Sequence, residues 1–390
     1  MSRRTPLAWN NLTHDVRRLA VAISGVAFAV ILIFMELGFL NALLESTVQV
    51  LRRLNGEIVI VSSAQYALMA GERFDLRRLY QASEVPGVVE AVPVYMETMA
   101  GVVRMRGDRG YHIRVLAARP EDNALRIPQF SEYRDDLAVV GTALGDVASR
   151  REYQIPPMNE PLQEDDEREL NGQALNLVGR FRLGVDFSTD GNLLMTSDNF
   201  ARFFPFRAGV ASPLSRVDLG VVQLEKGVDA IKVRDDLVEA LPNDVDVLLR
   251  EEIVDREKTF WAKNAPLGYI FLVGAVMGFV VGIVICYQII HADISDHMRE
   301  FATLKAMGYQ GPFFVQLVLR QSLYLSLLGF LPGAVISRLA YMFLTYITGL
   351  TMELTLPLAA SVLGVTAIMC TVSGLLAVNK LLATDPADLF

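Results

Sequence analysis

The residues of this chain that can do acid–base, nucleophilic or metal chemistry are few, or badly spaced for it. Its four histidines are His14, His112, His291 and His297. The last two lie six residues apart, a spacing that does not bring two imidazoles to one helical face as a metal pair requires. No H-E-x-x-H, C-x-x-C or G-x-S-x-G occurs, so the sequence signatures of a zinc hydrolase, a dithiol redox centre and a nucleophile elbow are all missing. The dipeptide Gly-Lys never appears, which excludes a P-loop and its backbone cradle for phosphate. Both cysteines, Cys286 and Cys370, sit in apolar runs and read as small buried hydrophobes, leaving no disulfide framework for the polar part of the chain. Carboxylates are abundant between Glu45 and Lys263, but nothing in their spacing sets a pair apart from a solvated surface. No catalytic, cofactor or metal residue is assigned.

What must be positioned, then, is not a reacting group. The chain of 390 residues is 52% hydrophobic and 21% charged, and the two classes are segregated along it. A mean hydropathy of +0.34 is high for a soluble enzyme. The acidic surplus behind the net charge of −8 lies mostly between Glu45 and Lys263, and without a concentrated basic cluster nucleic acid is not an expected partner.

Four apolar runs are long enough to cross a bilayer, which takes about 20 helical residues. They predict membrane helices at residues 19–44, 264–290, 313–347 and 356–382. The third exceeds the bilayer, and its Leu331-Pro332-Gly333 is expected to kink it or end its membrane-buried part. Arg3, Arg4, Arg17 and Arg18 precede the first run, which is too long for a signal-peptide core and is read as a retained span. These arginines place the N-terminus in the cytoplasm. Four spans then put the tail, residues 383–390, on the same side, together with the loop at 291–312. Residues 1–18, with Thr5-Pro6 as a helix start and Trp9, Leu12 and Val16 at helical spacing, are consistent with an interfacial amphipathic helix or with a plain basic tail.

Residues 45–263 form an extracytoplasmic α+β domain. Gly56–Ser63 and Tyr111–Ala118 read as strands, and Phe74–Tyr95 as helix, Pro86-Gly87 turn and strand. Val217–Leu249 repeats the strand–helix–turn–strand order. Between the two units, residues 119–216 look like an inserted lobe, with a Pro-rich acidic loop at Ile155–Gln173 expected to be exposed.

Three features stand out within the apolar runs. Gly274, Gly278 and Gly282 form a G-x-x-x-G-x-x-x-G ladder, a face on which another helix can approach closely, within the protomer or across a dimer. Glu36 lies 17 residues into the first run, roughly 26 Å along the helix and so near the outer headgroups, compatible with an interfacial placement or with a role toward substrate. Between the second and third runs lies the charged stretch DISDHMREFATLKAMGYQ, Asp293–Gln310. Within it Phe301, Leu304 and Gly308 follow helical spacing, Glu300 and Lys305 lie off that stripe, and Gly308 supplies the left-handed stop. A short helix held at both ends by spans either lies inertly at the interface or presents a knob to a partner.

The pattern acidic–aromatic–Ala-Thr-Leu-Lys-Ala-Met-Gly-Tyr resembles the cytoplasmic loop of the FtsX-like, MacB-type permeases of ABC transporters, and most of all their DevC-type branch. Pro266–Tyr309 and Pro6–Leu43 resemble that branch almost continuously, and so does the layout of one span, a large outer domain and three spans. Met298-Arg299-Glu300 departs from the Leu-Pro-Glu frequent there, though its acidic residue stays. The resemblance implies a porter-like α+β unit with an inserted lobe, in a multi-pass protein of the bacterial inner membrane with both termini cytoplasmic. It implies a homodimer that binds a separate ABC ATPase, with ATP held by that subunit and no cofactor on this chain. Glu300, Phe301, Leu304, Lys305, Met307 and Gly308 would then be a coupling helix that docks on the ATPase. It further implies a membrane-fusion, DevB-like adaptor, an outer-membrane duct, and export of a lipid, glycolipid or other amphiphile. Two relatives of the same fold remain open as alternatives: an FtsX-like transmitter that regulates cell-wall hydrolases, and a lipoprotein-extracting permease. A membrane-anchored enzyme or sensor is the remaining class.

Overall fold

A computed structural model describes residue 9 and residues 15–105, 109–162, 168–208 and 212–383. The side chains of residues 299, 301, 302, 306 and 380–383 fall outside that description. The amphipathic helix expected at residues 1–18 therefore lies largely outside the described residues, as do part of the acidic loop and the tail beyond residue 383. The chain divides into two compact units: residues 1–42, 266–345 and 352–390 form one, and residues 43–265 with 346–351 the other.

Helix α1 (Val16–Thr47) opens the first unit. Asp15 precedes it, and its Oδ1 accepts from the backbone N–H of Arg17 at 3.0 Å and of Arg18 at 3.1 Å, filling donors that a helix start leaves unpaired. At 32 residues the helix is about 48 Å long, more than the hydrocarbon core needs.

Among the described residues the second unit holds 13 strands, β1 (Ile58–Ser62), β2 (Phe74–Asp75), β3 (Val88–Glu97), β4 (Val102–Met105), β5 (Tyr111–His112), β6 (Arg114–Ala118), β7 (Thr142–Asp146), β8 (Arg168–Leu170), β9 (Gln173–Phe181), β10 (Asn192–Thr196), β11 (Arg216–Val217), β12 (Leu219–Leu224) and β13 (Val245–Leu249). Eleven of them make one sheet in the order β13-β1-β12-β3-β6-β10-β7-β9-β8-β4-β5, and β2 pairs with β11. The pairs β6–β10 and β7–β9 are parallel, and the other pairs in the sheet are antiparallel.

Both faces of this sheet are covered. Side chains alternate along a strand, so Ile58 and Ile60 enter one apolar core while Val59 and Val61 enter the other. Helices α2 (Arg77–Ser83) and α3 (Ser197–Phe203) and helix α4 (Ala230–Ala240) supply Leu79, Phe200, Val233 and Leu237 to the first core. The region 119–216 is not a separate lobe. Its strands β7, β9 and β10 extend the same sheet, and Leu175, Leu193 and Met195 share a core with Ile58 and Val222. Helix α5 (Arg250–Thr259) leads into a π-helical turn at Phe260–Asn264.

The first unit resumes with α6 (Pro266–Asp296), the short α7 (Met298–Ala306), α8 (Gly311–Thr348) and α9 (Leu356–Ala383). With α1, four helices among the described residues are long and apolar enough to span a bilayer. Pro332 does not end the third of them; α8 runs through it to Thr348. A proline removes one backbone donor, and in a membrane bundle neighbouring helices hold such a helix together. Helices α6 and α9 meet at Cys286 and Cys370, whose sulfurs lie 3.7 Å apart, and Ser373 Oγ donates to the Ile283 carbonyl at 2.9 Å.

Candidate functional site

The charged stretch between the second and third spans folds as α7, flanked by one non-helical residue, His297, on one side and Met307–Gln310 on the other. Gly308 takes φ +97°, the left-handed conformation that stops the helix, and no side chain stands near its α-carbon. Among the described side chains of α7, Met298 and Leu304 are partly buried against the core of the helix bundle and moor it. Glu300 and Gly308 are exposed, Met307 is 64% exposed and Tyr309 45%. Lys305 is half-buried, and the Phe301 side chain lies outside the described residues. Of the six residues expected to dock on a partner, Leu304 thus faces inward, while Glu300, Met307 and Gly308 are open to one.

The glycine ladder of α6 lies against α1. A Cβ at Gly278 would meet Leu32 Cβ at 3.5 Å and Ile33 Cγ1 at 3.6 Å, ordinary contact distances. At Gly282 it would come 3.0 Å from Ala29 Cβ and would run into the Met369 thioether of α9. At Gly274 it would lie 2.5 and 2.6 Å from the two carboxylate oxygens of Glu36. Glu36 is half-buried and stands level with Gly274, eight residues or about 12 Å along α6 from Pro266. It rests on a glycine because no larger residue would leave room for the carboxylate.

Residues 272–386, which hold most of α6 and all of α7 and α8, match the family model described as FtsX-like permease C-terminal. Over that stretch, less than a third of its length, the chain is similar to FtsX-like permeases. No curated protein matches it. Among solved structures, the periplasmic region of MacB from Actinobacillus actinomycetemcomitans aligns at 13% identity and a TM-score of 0.37, over 52% of this chain and 94% of that one. The extracellular domain of the ABC-type transporter YknZ from Gram-positive bacteria aligns at 11% identity and a TM-score of 0.31, over 49% and 98%.

The helix bundle has a second set of close contacts that its sequence did not advertise. On α8, Gly329 and Gly333 lie about one turn apart with Pro332 between them, and both face α1. A Cβ at Gly329 would fall 2.5 Å from Val26 Cβ, and one at Gly333 would fall 2.7 Å from Val30 Cγ1. Tyr341 of α8 is buried and donates its hydroxyl to the Phe34 carbonyl, beside Gly38. Glycines four apart are a readable signal, but here a proline stands between them and directs attention to helix breaking instead.

In the outer unit, buried charge is held by ion pairs or by hydrogen bonds. Arg207 donates to Glu97 Oε2 at 3.2 Å and to the Met96 carbonyl at 2.9 Å, and it pairs with Asp218. Arg73 closes the group with bonds to the same two carboxylates at 3.0 and 3.1 Å. Glu257 is 4% exposed and accepts from Leu68 N at 2.8 Å and Trp261 Nε1 at 2.9 Å. Burial pushes its carboxyl above the ordinary 4.5, and these two donors pull it part of the way back. Among the described residues no group of three His, Cys, Asp or Glu side chains is placed to hold a metal ion.

Proposed function

We propose that this chain is the permease subunit of an ABC exporter of the inner membrane, with both termini in the cytoplasm, working as a homodimer on a separate ATPase. The observation that carries the reading is α7 itself: a helix of nine residues strung between two spans, moored by Met298 and Leu304, with Glu300 and Met307 left exposed. Exposed Met307 supplies an adaptable apolar contact for a groove on the ATPase, and Glu300 fixes its orientation. ATP is bound on the partner, in keeping with a sequence that lacks a P-loop. Closure of the ATPase pair moves α7, and through it α6 and α8. The resemblance to DevC-type permeases supports a lipid, glycolipid or related amphiphile as cargo, passed to a fusion adaptor and an outer-membrane duct.

The test is co-purification from native membranes in mild detergent, with mass spectrometry of what stays bound. A stoichiometric P-loop ATPase with a fusion adaptor is the expected result. A P-loop ATPase with a cell-wall hydrolase would replace export by regulation, and absence of any ATPase would leave α7 an interfacial turn.

A further inference from the structure

Helix α8 carries two arginines, Arg320 and Arg338, and both are exposed. Among the described residues neither guanidinium has a hydrogen-bond or ion-pair partner. They stand 18 residues apart, which is five full turns, so they share one face of the helix and lie about 27 Å apart along its axis. Between them Leu323, Leu327, Leu331 and Val335 make an exposed apolar stripe on that face. Gly329 and Gly333, which meet α1, lie on the opposite side. Pro332 breaks neither the helix nor the stripe, since the residues before and after it keep their facing.

Two exposed cations that no protein group neutralises call for anions outside the chain, and the stripe between them calls for hydrocarbon. The hydrocarbon core of a bilayer is about 30 Å thick, with the lipid phosphates of each leaflet just beyond it. An arginine stem lies along acyl chains while its planar guanidinium grips a phosphate with two parallel bonds. We propose that this face of α8 is a lipid-facing surface, with Arg320 held by phospholipid phosphates of one leaflet and Arg338 by those of the other. The alternative cover is a second copy of the chain, and the charges speak against it. In a two-fold dimer within one membrane each residue of such a stripe lies level with its own copy, so arginine would meet arginine at both ends, away from water. The arginines also fix a depth that composition leaves free. Met342, Phe343 and Ile347 beyond Arg338 are exposed and apolar as well, and 38 residues make a helix of about 57 Å, nearly twice what the core needs. With Arg320 at a phosphate level, Gly311 stands about 14 Å farther out, so the junction with α7 lies beyond the acyl chains. The assignment requires that α8 spans a bilayer; it does not depend on the ATPase or on export.

The test uses the full-length protein in vesicles of phosphatidylcholine and phosphatidylglycerol, with a nitroxide attached in turn to Leu327→Cys, Leu331→Cys and Val335→Cys. The wild type, whose two cysteines are buried, is the labelling control. Strong relaxation by oxygen and little by a water-soluble nickel chelate is expected at all three sites. Weak relaxation by both would mean that protein covers the stripe, and strong relaxation by nickel would put it in water; either overturns the proposal. The phosphate contacts are tested by the melting temperature in phosphatidylcholine vesicles of graded acyl-chain length. For the wild type a maximum is expected where the hydrocarbon is about 27 Å thick. Arg338→Leu should move that maximum to thicker bilayers, because the apolar stripe then runs on to Ile347, and Arg338→Lys should leave it in place. Arg338 holds no contact within the fold, so its loss leaves the chain folded. A wild type without a maximum, or the same maximum in Arg338→Leu, would overturn the part assigned to the phosphates.

Discussion

Arg207 is enclosed by two carboxylates and a backbone carbonyl, and its worth is best judged by what its removal leaves behind. Arg207→Met would strand Glu97 and Asp218 with only Arg73, which is partly exposed. Breaking a buried pair from one side costs about 3–5 kcal/mol. A large fall in the melting temperature of the full chain is expected, with little change for a mutation at exposed Arg77. Glu257 gives a pH-dependent counterpart. Its folded carboxyl titrates above the ordinary 4.5, so between 4.5 and the raised value folding takes up a proton. The stability this contributes is fully present below 4.5 and is lost as pH rises through the raised value. The melting temperature of the wild type relative to Glu257→Gln should therefore fall as pH is raised across that window. A constant difference would mean that the carboxyl is not held up by burial.

At the scale of elements, the bundle's glycine contacts are not equally tight. Gly278→Ala adds a methyl at ordinary contact distance, whereas Gly329→Ala drives one into Val26. Overpacking of this kind costs about 1–3 kcal/mol. Thermal scans should show Gly278→Ala unchanged and Gly329→Ala destabilised, with Gly278→Leu destabilised as well because no larger side chain fits between Leu32 and Ile33. Such elements differ in how well a sequence announces them. The four spans, the α7 segment and the α6 glycines are written in local patterns of composition and spacing. The continuity of the sheet is not, because β10 pairs with β6 through Asn192 and Arg114, far apart in the chain, and no local signal marks that partner. The same holds for Leu304, whose helical stripe fits an outward apolar face and an inward one alike. Only its neighbours in the bundle decide the matter.

For the whole molecule, the inward and outward faces of α7 separate two functions that a single substitution can tell apart. On the proposed coupling role, Met307→Asp should abolish stimulation of ATP hydrolysis and co-purification of the ATPase while leaving the melting temperature of the chain unchanged. Leu304→Asp should instead loosen α7 from the bundle, lowering thermal stability along with coupling. Equal loss of stability in both variants would mean that Met307 is also a packing residue, and equal retention of ATPase in both would remove α7 from the interface.

The connections of α7 also set how much play the linkage has. One residue joins it to α6, and Met307–Gln310 join it to α8. Four residues reach at most about 14 Å when fully extended. They are already bent by Gly308, so little backlash remains before a displaced α7 drags its neighbours. Lengthening that tether would add slack without touching a contact surface. A Gly-Ser insertion after Gly308 should leave the ATPase bound and its stroke unfelt, like a lever whose pin has been given a slot.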